Sequence, residues 1–156
     1  MNKKAKDIMT RKVVTVRENM MVNDLIDLFL EKKISCAPVV DRKENLIGIV
    51  TKTDILSRFM DLDLDLTLKV GLKDVLDSPH PALSELEVFS ETELKAGHIM
   101  TPKPITAGEN TTIEKLAEMM IKNGIHRLII KKSGKIVGIV STIDMLYHVA
   151  GKSKNE

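Results

Sequence analysis

The sequence has no tryptophan, one cysteine, one tyrosine and three phenylalanines. A core of ordinary size must therefore be aliphatic, built from Ile, Leu, Val and the nine methionines, whose thioethers fill irregular gaps. So few aromatics leave few platforms for base stacking, which argues against a nucleic-acid binder. Cys36 has no intrachain partner, so no disulfide staples the chain, in keeping with a reducing, cytoplasmic setting. No apolar run approaches the ~18 residues of a membrane span. The basic start MNKKAKDIMTRK lacks the apolar stretch of a signal peptide. His80, His98, His126 and His148 are scattered, without metal-ligand spacing. GxxxxGK[ST] does not occur, and no nucleophile–base arrangement is visible. Together these absences point away from an enzyme and from a catalytic cofactor or metal.

What is present is unevenly charged. The net charge is +2, but residues 60–95 carry nine acids and three lysines, net −6, which leaves +8 elsewhere. Either these are solvated faces, or the flanking parts attract an anion. DLDLDL at 61–66 begins like a calcium loop. Leu66 then stands where such a loop needs Gly, and Leu72 where it needs Glu, so calcium is not expected. A helix over 81–95 is a further expectation within this stretch.

The chain repeats itself. Residues 5–42 align with 96–133 at a shift of 91, and 48–59 with 138–149 at a shift of 90. AKDIMTRKVVTVREN matches AGHIMTPKPITAGEN, and GIVTKTD at 48–54 matches GIVSTID at 138–144. Identities dispersed in constant register imply two copies of one unit. In each copy a short extended run (13–16, 104–107) precedes a helix. Val22, Leu25, Ile26, Phe29 and Leu30 form one apolar stripe, and Ile113, Leu116, Ala117, Met120 and Ile121 the other. Thr111 with Glu114 has capping-box spacing, the first copy has only methionines there, and Gly124 ends the second helix. A hairpin follows (37–40 with 46–51; 128–131 with 135–141, turning at Ser133-Gly134), then a short helix over 53–60 and 143–150. The reading is an α/β fold (α+β in some schemes) of two β-α-β-β-α units, each with a three-stranded sheet, packed with pseudo-twofold symmetry. The expected boundaries are 1–59 and 96–150 for the units, 60–95 for an acidic connector and 151–156 for a flexible C-terminal tail.

Gly48 and Gly138 interrupt strand patterns, which marks close approach by another backbone or a ligand. Thr51 with Asp54, and Ser141 with Asp144, then stand at a strand-to-helix junction. Their spacing fits a capping box. It fits a nucleotide as well, with the carboxylate accepting from ribose hydroxyls and the hydroxyl and helix amides meeting phosphate.

The doubled unit, with DIMT and HIMT, ISCAPVV and IHRLIIK, and G-I-V-[TS]-x-x-D in order, resembles the CBS domain, and the chain looks like a tandem CBS pair. That resemblance implies clefts that take adenosine derivatives. It would place Asp54 and Asp144 on ribose and Thr51 and Ser141 at phosphate. Ser35, Cys36, Ala37 and Pro38, with His126, Arg127 and Leu128, would border adenine or phosphate, and Thr15 and Thr106 would line the base. Pro38 is replaced by Ile129, and Ser35-Cys36 by His126-Arg127, so the clefts should differ, with a fixed cation from one copy only. Arg127 is either a surface cation or a phosphate ligand. Cys36 reads as a small buried residue rather than a reactive thiol. The function expected is a regulatory sensor of AMP, ADP or ATP that acts through a homodimer or an effector protein. The alternatives are an interaction module with vestigial clefts, or a sensor of S-adenosylmethionine or NAD(H).

Overall fold

The computed structural model describes residues 3–62 and 94–152. The elements are, in order, α1 (Ala5–Ile8), β1 (Val16–Arg17), α2 (Val22–Glu31), β2 (Cys36–Val40), β3 (Leu46–Thr51) and α3 (Lys52–Leu62). The second copy supplies α4 (Ala96–Ile99), β4 (Thr101–Pro102), β5 (Thr106–Gly108), α5 (Ile113–Asn123), β6 (Arg127–Lys132), β7 (Lys135–Ser141) and α6 (Thr142–Val149). The helix expected over 81–95 lies outside the described residues except for Leu94 and Lys95, which are not helical. Most of the DLDLDL stretch and the tail beyond 152 lie outside them too.

The apolar stripes bury as their spacing predicts, with Val22, Leu25 and Phe29 in α2 and Ile113, Leu116 and Met120 in α5. The stripes are narrower than expected, because Leu30 and Ile121 at their ends are exposed. The α5 cap also differs. Thr112, not Thr111, accepts from the Lys115 amide at 3.3 Å. Thr111 is held one residue earlier, its amide donating to the Gly108 carbonyl and its carbonyl accepting from Ala5. Met21 caps α2 without a side-chain bond, and Gly124 ends α5 at φ +60°.

Both hairpins form. β2 and β3 pair antiparallel, as do β6 and β7, each with a register irregularity at an equivalent place (Val39/Val40 and Ile130/Lys131). Ser133 and Gly134 both adopt positive φ, as a tight two-residue hairpin turn requires. β1 runs parallel to β2 and β5 parallel to β6. These two strands are shorter, and begin later, than the extended runs of the sequence suggest, since pairing starts only at Val16 and Thr106.

The first sheet has four strands rather than three, and the extra one comes from the other repeat. β4 pairs with β3 through Gly48–Pro102 and Ile49–Thr101. Thr10 makes the reciprocal bridge to Ile139. The exchange extends through each leading helix. Ala5 and Lys6 donate to the carbonyls of Thr111 and Glu109, while Ala96 and Gly97 donate to those of Met20 and Glu18. Ala96 is buried in the core of the first repeat, with Ile99 and Met100 packed against it. Ala5 and Met9 are buried in the core of the second. Two repeats contiguous in sequence are therefore interlocked in space, each completed by the start of the other.

Candidate functional site

The exchange shapes the corners where strand meets helix. The β7–α6 junction is a closed capping box. Asp144 Oδ2 accepts from the Ser141 amide at 2.7 Å and from its hydroxyl at 2.6 Å, and Ser141 Oγ accepts from the Asp144 amide at 3.3 Å. The β3–α3 junction repeats this, with Asp54 Oδ2 2.7 Å from both Thr51 N and Oγ1. Asp144 is buried at 4% exposure, whereas Asp54 is half-buried. The pairs thus carry the capping geometry that their spacing allows.

A cleft of about 450 Å³ opens beside the Ser141–Asp144 corner. Both repeats wall it, with Ser35 and Cys36 from one side and His126, Arg127, Ser141 and Asp144 from the other. Six residues singled out in the sequence therefore meet in one place. Arg127 ties the walls together, donating from Nη2 to Ser35 Oγ at 2.8 Å. Burial pushes the Cys36 thiol above its ordinary pKa, and the Arg127 charge offsets part of that rise. The thiol is thus protonated at neutral pH, in line with a packed rather than a reactive cysteine.

The remaining predicted residues lie elsewhere. Ala37, Pro38 and Leu128 are buried in β2 and β6 and do not line this cleft. Thr51 and Asp54 sit at the equivalent corner of the first repeat. Thr15 is exposed ahead of β1, and Thr106 is half-buried at the start of β5. The sequence reading missed Thr10, Lys12 and Lys33, which also line the cleft. Thr10 and Lys12 arrive by the crossover, which no local pattern announces.

A second cavity, of about 840 Å³, lies between α1, the segment after it and α6, and its wall also includes Thr10, Lys12 and Asp144. Among the described residues, no cluster of His, Cys, Asp or Glu could hold a metal ion. No helix among them is long and apolar enough to cross a membrane.

Comparison with known proteins bears on this geometry. A family model of the CBS domain matches residues 5–61 and again 96–151. An uncharacterized protein of Methanocaldococcus jannaschii is 34% identical over 149 residues, covering 90% of this chain and 88% of the relative. Other curated relatives are longer. The matched part is 42% of a second Methanocaldococcus jannaschii protein and 54% of the Arabidopsis thaliana CBS domain-containing protein CBSX2. Among solved structures, CBSX2 in complex with AMP superposes with a TM-score of 0.69 at 22% identity, covering 95% of this chain and 96% of that one. The CBS domain pair of protein MJ0100, in complex with 5′-methylthioadenosine and S-adenosyl-L-methionine, gives 0.71 at 23% identity, covering 98% and 100%. At these identities the likeness speaks for the fold. With two matched domains, two mixed sheets flanked by helices and reciprocal crossovers, the chain belongs to the CBS domain family as a tandem pair.

Proposed function

We infer that the chain is a non-catalytic regulatory module that binds an adenosine-containing ligand, an adenine nucleotide such as AMP, ADP or ATP, between its repeats. The observation that carries this reading is the cleft walled by both repeats, with Ser35 and Cys36 from the first and Arg127, Ser141 and Asp144 from the second. The AMP of CBSX2 and the adenosyl ligands of MJ0100 support the ligand class. A ligand in contact with both repeats shifts their packing only by as much as it prefers one arrangement. The response then passes to a homodimer partner or an effector protein in the cytoplasm. Isothermal titration of the wild-type protein with AMP, ADP, ATP, S-adenosylmethionine and NADH tests it. Saturable heat with at least one adenine nucleotide is expected. Absence of heat and of thermal shift with all five retires the reading.

A second reading, an interaction module with vestigial clefts, is favoured by one observation. Both aspartates close capping boxes with their own strand ends. Asp54→Asn and Asp144→Asn variants that lose stability while every ligand response stays unchanged would select it.

A further inference from the structure

Each crossover is seated by a methionine whose thioether rests on a strand glycine. Met100 rests on Gly48 and Met9 on Gly138, each so close that a Cβ on the glycine would overlap the sulfur. The two seats differ in access. Met9 is buried at 8% exposure, whereas Met100 is half-buried. On its inner side Met100 packs, with Ile99, against the core of the first repeat. It leads straight into β4, the edge strand of its sheet. That strand is held by its pairing to Gly48 and Ile49 and by the following amide of Lys103, which donates to the Ile47 carbonyl at 3.2 Å. Met20, Met21, Met119 and Met145 are half-buried as well, but none of them rests on a described strand glycine.

We propose that Met100 is an oxidation site, at which a hydroperoxide turns the thioether into a sulfoxide and lifts β4 off the first sheet. The sulfur lone pair takes one oxygen as the O–O bond breaks. Sulfur is oxidised by two electrons, and the peroxide leaves, reduced, as water or an alcohol. The new S–O group is polar, and its sulfur has glycine backbone on one side and apolar core on the other. A polar group held there without a partner is costly, so the seat opens. The buried Met9 seat is spared, and the second repeat keeps its crossover. The chain's single thiol competes poorly for the oxidant, because burial keeps Cys36 protonated. A dithiol-driven sulfoxide reductase reverses the change, with the oxygen leaving as water and the dithiol as a disulfide. The proposal does not depend on which ligand the clefts hold.

The test treats the full native chain with hydrogen peroxide at neutral pH and follows each methionine by peptide mass spectrometry. Amide hydrogen exchange is read on the same samples. Met100 sulfoxide is expected to form ahead of Met9 sulfoxide. As it forms, the Lys103 amide should lose protection, while the Ile139 amide, bonded to the Thr10 carbonyl at 3.0 Å, keeps it. The melting temperature should fall by at least about 4 °C, and sulfoxide reductase with dithiothreitol should restore it. Met100→Leu should escape most of that fall, and Met9→Leu should not. Leu is close to Met in volume, so the first variant is expected to fold. If it does not, the exchange of Lys103 against the fraction of Met100 oxidised in the wild type decides alone. The proposal is overturned if Met100 stays reduced while the other half-buried methionines oxidise. It is overturned equally if Lys103 stays protected once Met100 is a sulfoxide, or if a folded Met100→Leu loses as much stability to peroxide as the wild type.

Discussion

Arg127 of the second repeat donates from Nη2 to the Ser35 hydroxyl of the first, across 2.8 Å and 92 positions of sequence. The bond is partly buried in the wall of the cleft, so it links the cohesion of the two repeats to the ligand site. Hydrogen bonds to charged groups contribute about 1.5–3 kcal/mol when well shielded, and less where solvent reaches them. A double-mutant cycle of Arg127→Met and Ser35→Ala, followed by urea unfolding, should give a coupling of about 1 kcal/mol. Arg127→Met should also weaken AMP binding more than Ser35→Ala does. Additive stabilities within about 0.3 kcal/mol would show that the bond contributes little.

The two capping boxes separate stability from ligand contact. Loss of either carboxylate removes the acceptor of two donors at a helix start, at a cost of about 0.5–2 kcal/mol. Asp54→Ala and Asp144→Ala should therefore lower stability to similar degrees. Only Asp144 lines the cleft described above, so Asp144→Ala should reduce AMP affinity for it and Asp54→Ala should not. Calorimetry of the two variants side by side distinguishes the roles, and equal losses of affinity would contradict this placement.

Cys36 offers a check by pH. Its thiol holds its proton above the pH at which an unfolded cysteine releases it, because burial penalises the thiolate more than Arg127 stabilises it. Between those two pKa values the unfolded chain binds fewer protons than the folded one, so this contribution to stability is lost as pH rises. Alkylation by iodoacetamide at neutral pH should be slower in the native protein than in urea. Arg127→Met should slow it further by removing the charge that favours thiolate. Faster alkylation in the native state would mean the thiol is activated rather than shielded.

Much of the fold is legible because local periodicity and turn chemistry determine it. The stripes of α2 and α5, the Ser133-Gly134 turn and the glycine that ends α5 all follow from spacing and residue type. The crossover is illegible for the opposite reason. Nothing in DIMT or HIMT states which sheet edge they will join, because β3 and β7 are nearly the same edge by sequence. The site shows the same division. Ser141 and Asp144 stand out in the repeated heptapeptide, whereas Ser35, Cys36, His126 and Arg127 are reached only through the resemblance to the CBS domain. Lys12 and Lys33 are reached by neither, since a lone lysine outside a motif carries no positional signal.

The strand glycines do mark a close approach, but the nearest group is a methionine side chain of the other repeat's leading segment rather than a ligand. A Cβ placed on Gly48 would collide with the thioether of Met100 and come within 3.1 Å of the Thr101 carbonyl oxygen. One placed on Gly138 would collide with Met9. The methionines therefore lie flat on the strands, and that contact lets each crossover seat against its sheet. Gly138→Ala should destabilise by about 1–3 kcal/mol, the range for an overfilled core. Met9 is itself buried, so Met9→Ala alone should also cost stability, through the cavity it leaves. Combined, the two changes relieve each other, because the added methyl occupies space vacated by the thioether. Unfolding of the double variant should thus cost less than the sum of the single losses. A cost equal to or above that sum would place the strain of Gly138→Ala in the strand rather than in the contact with Met9.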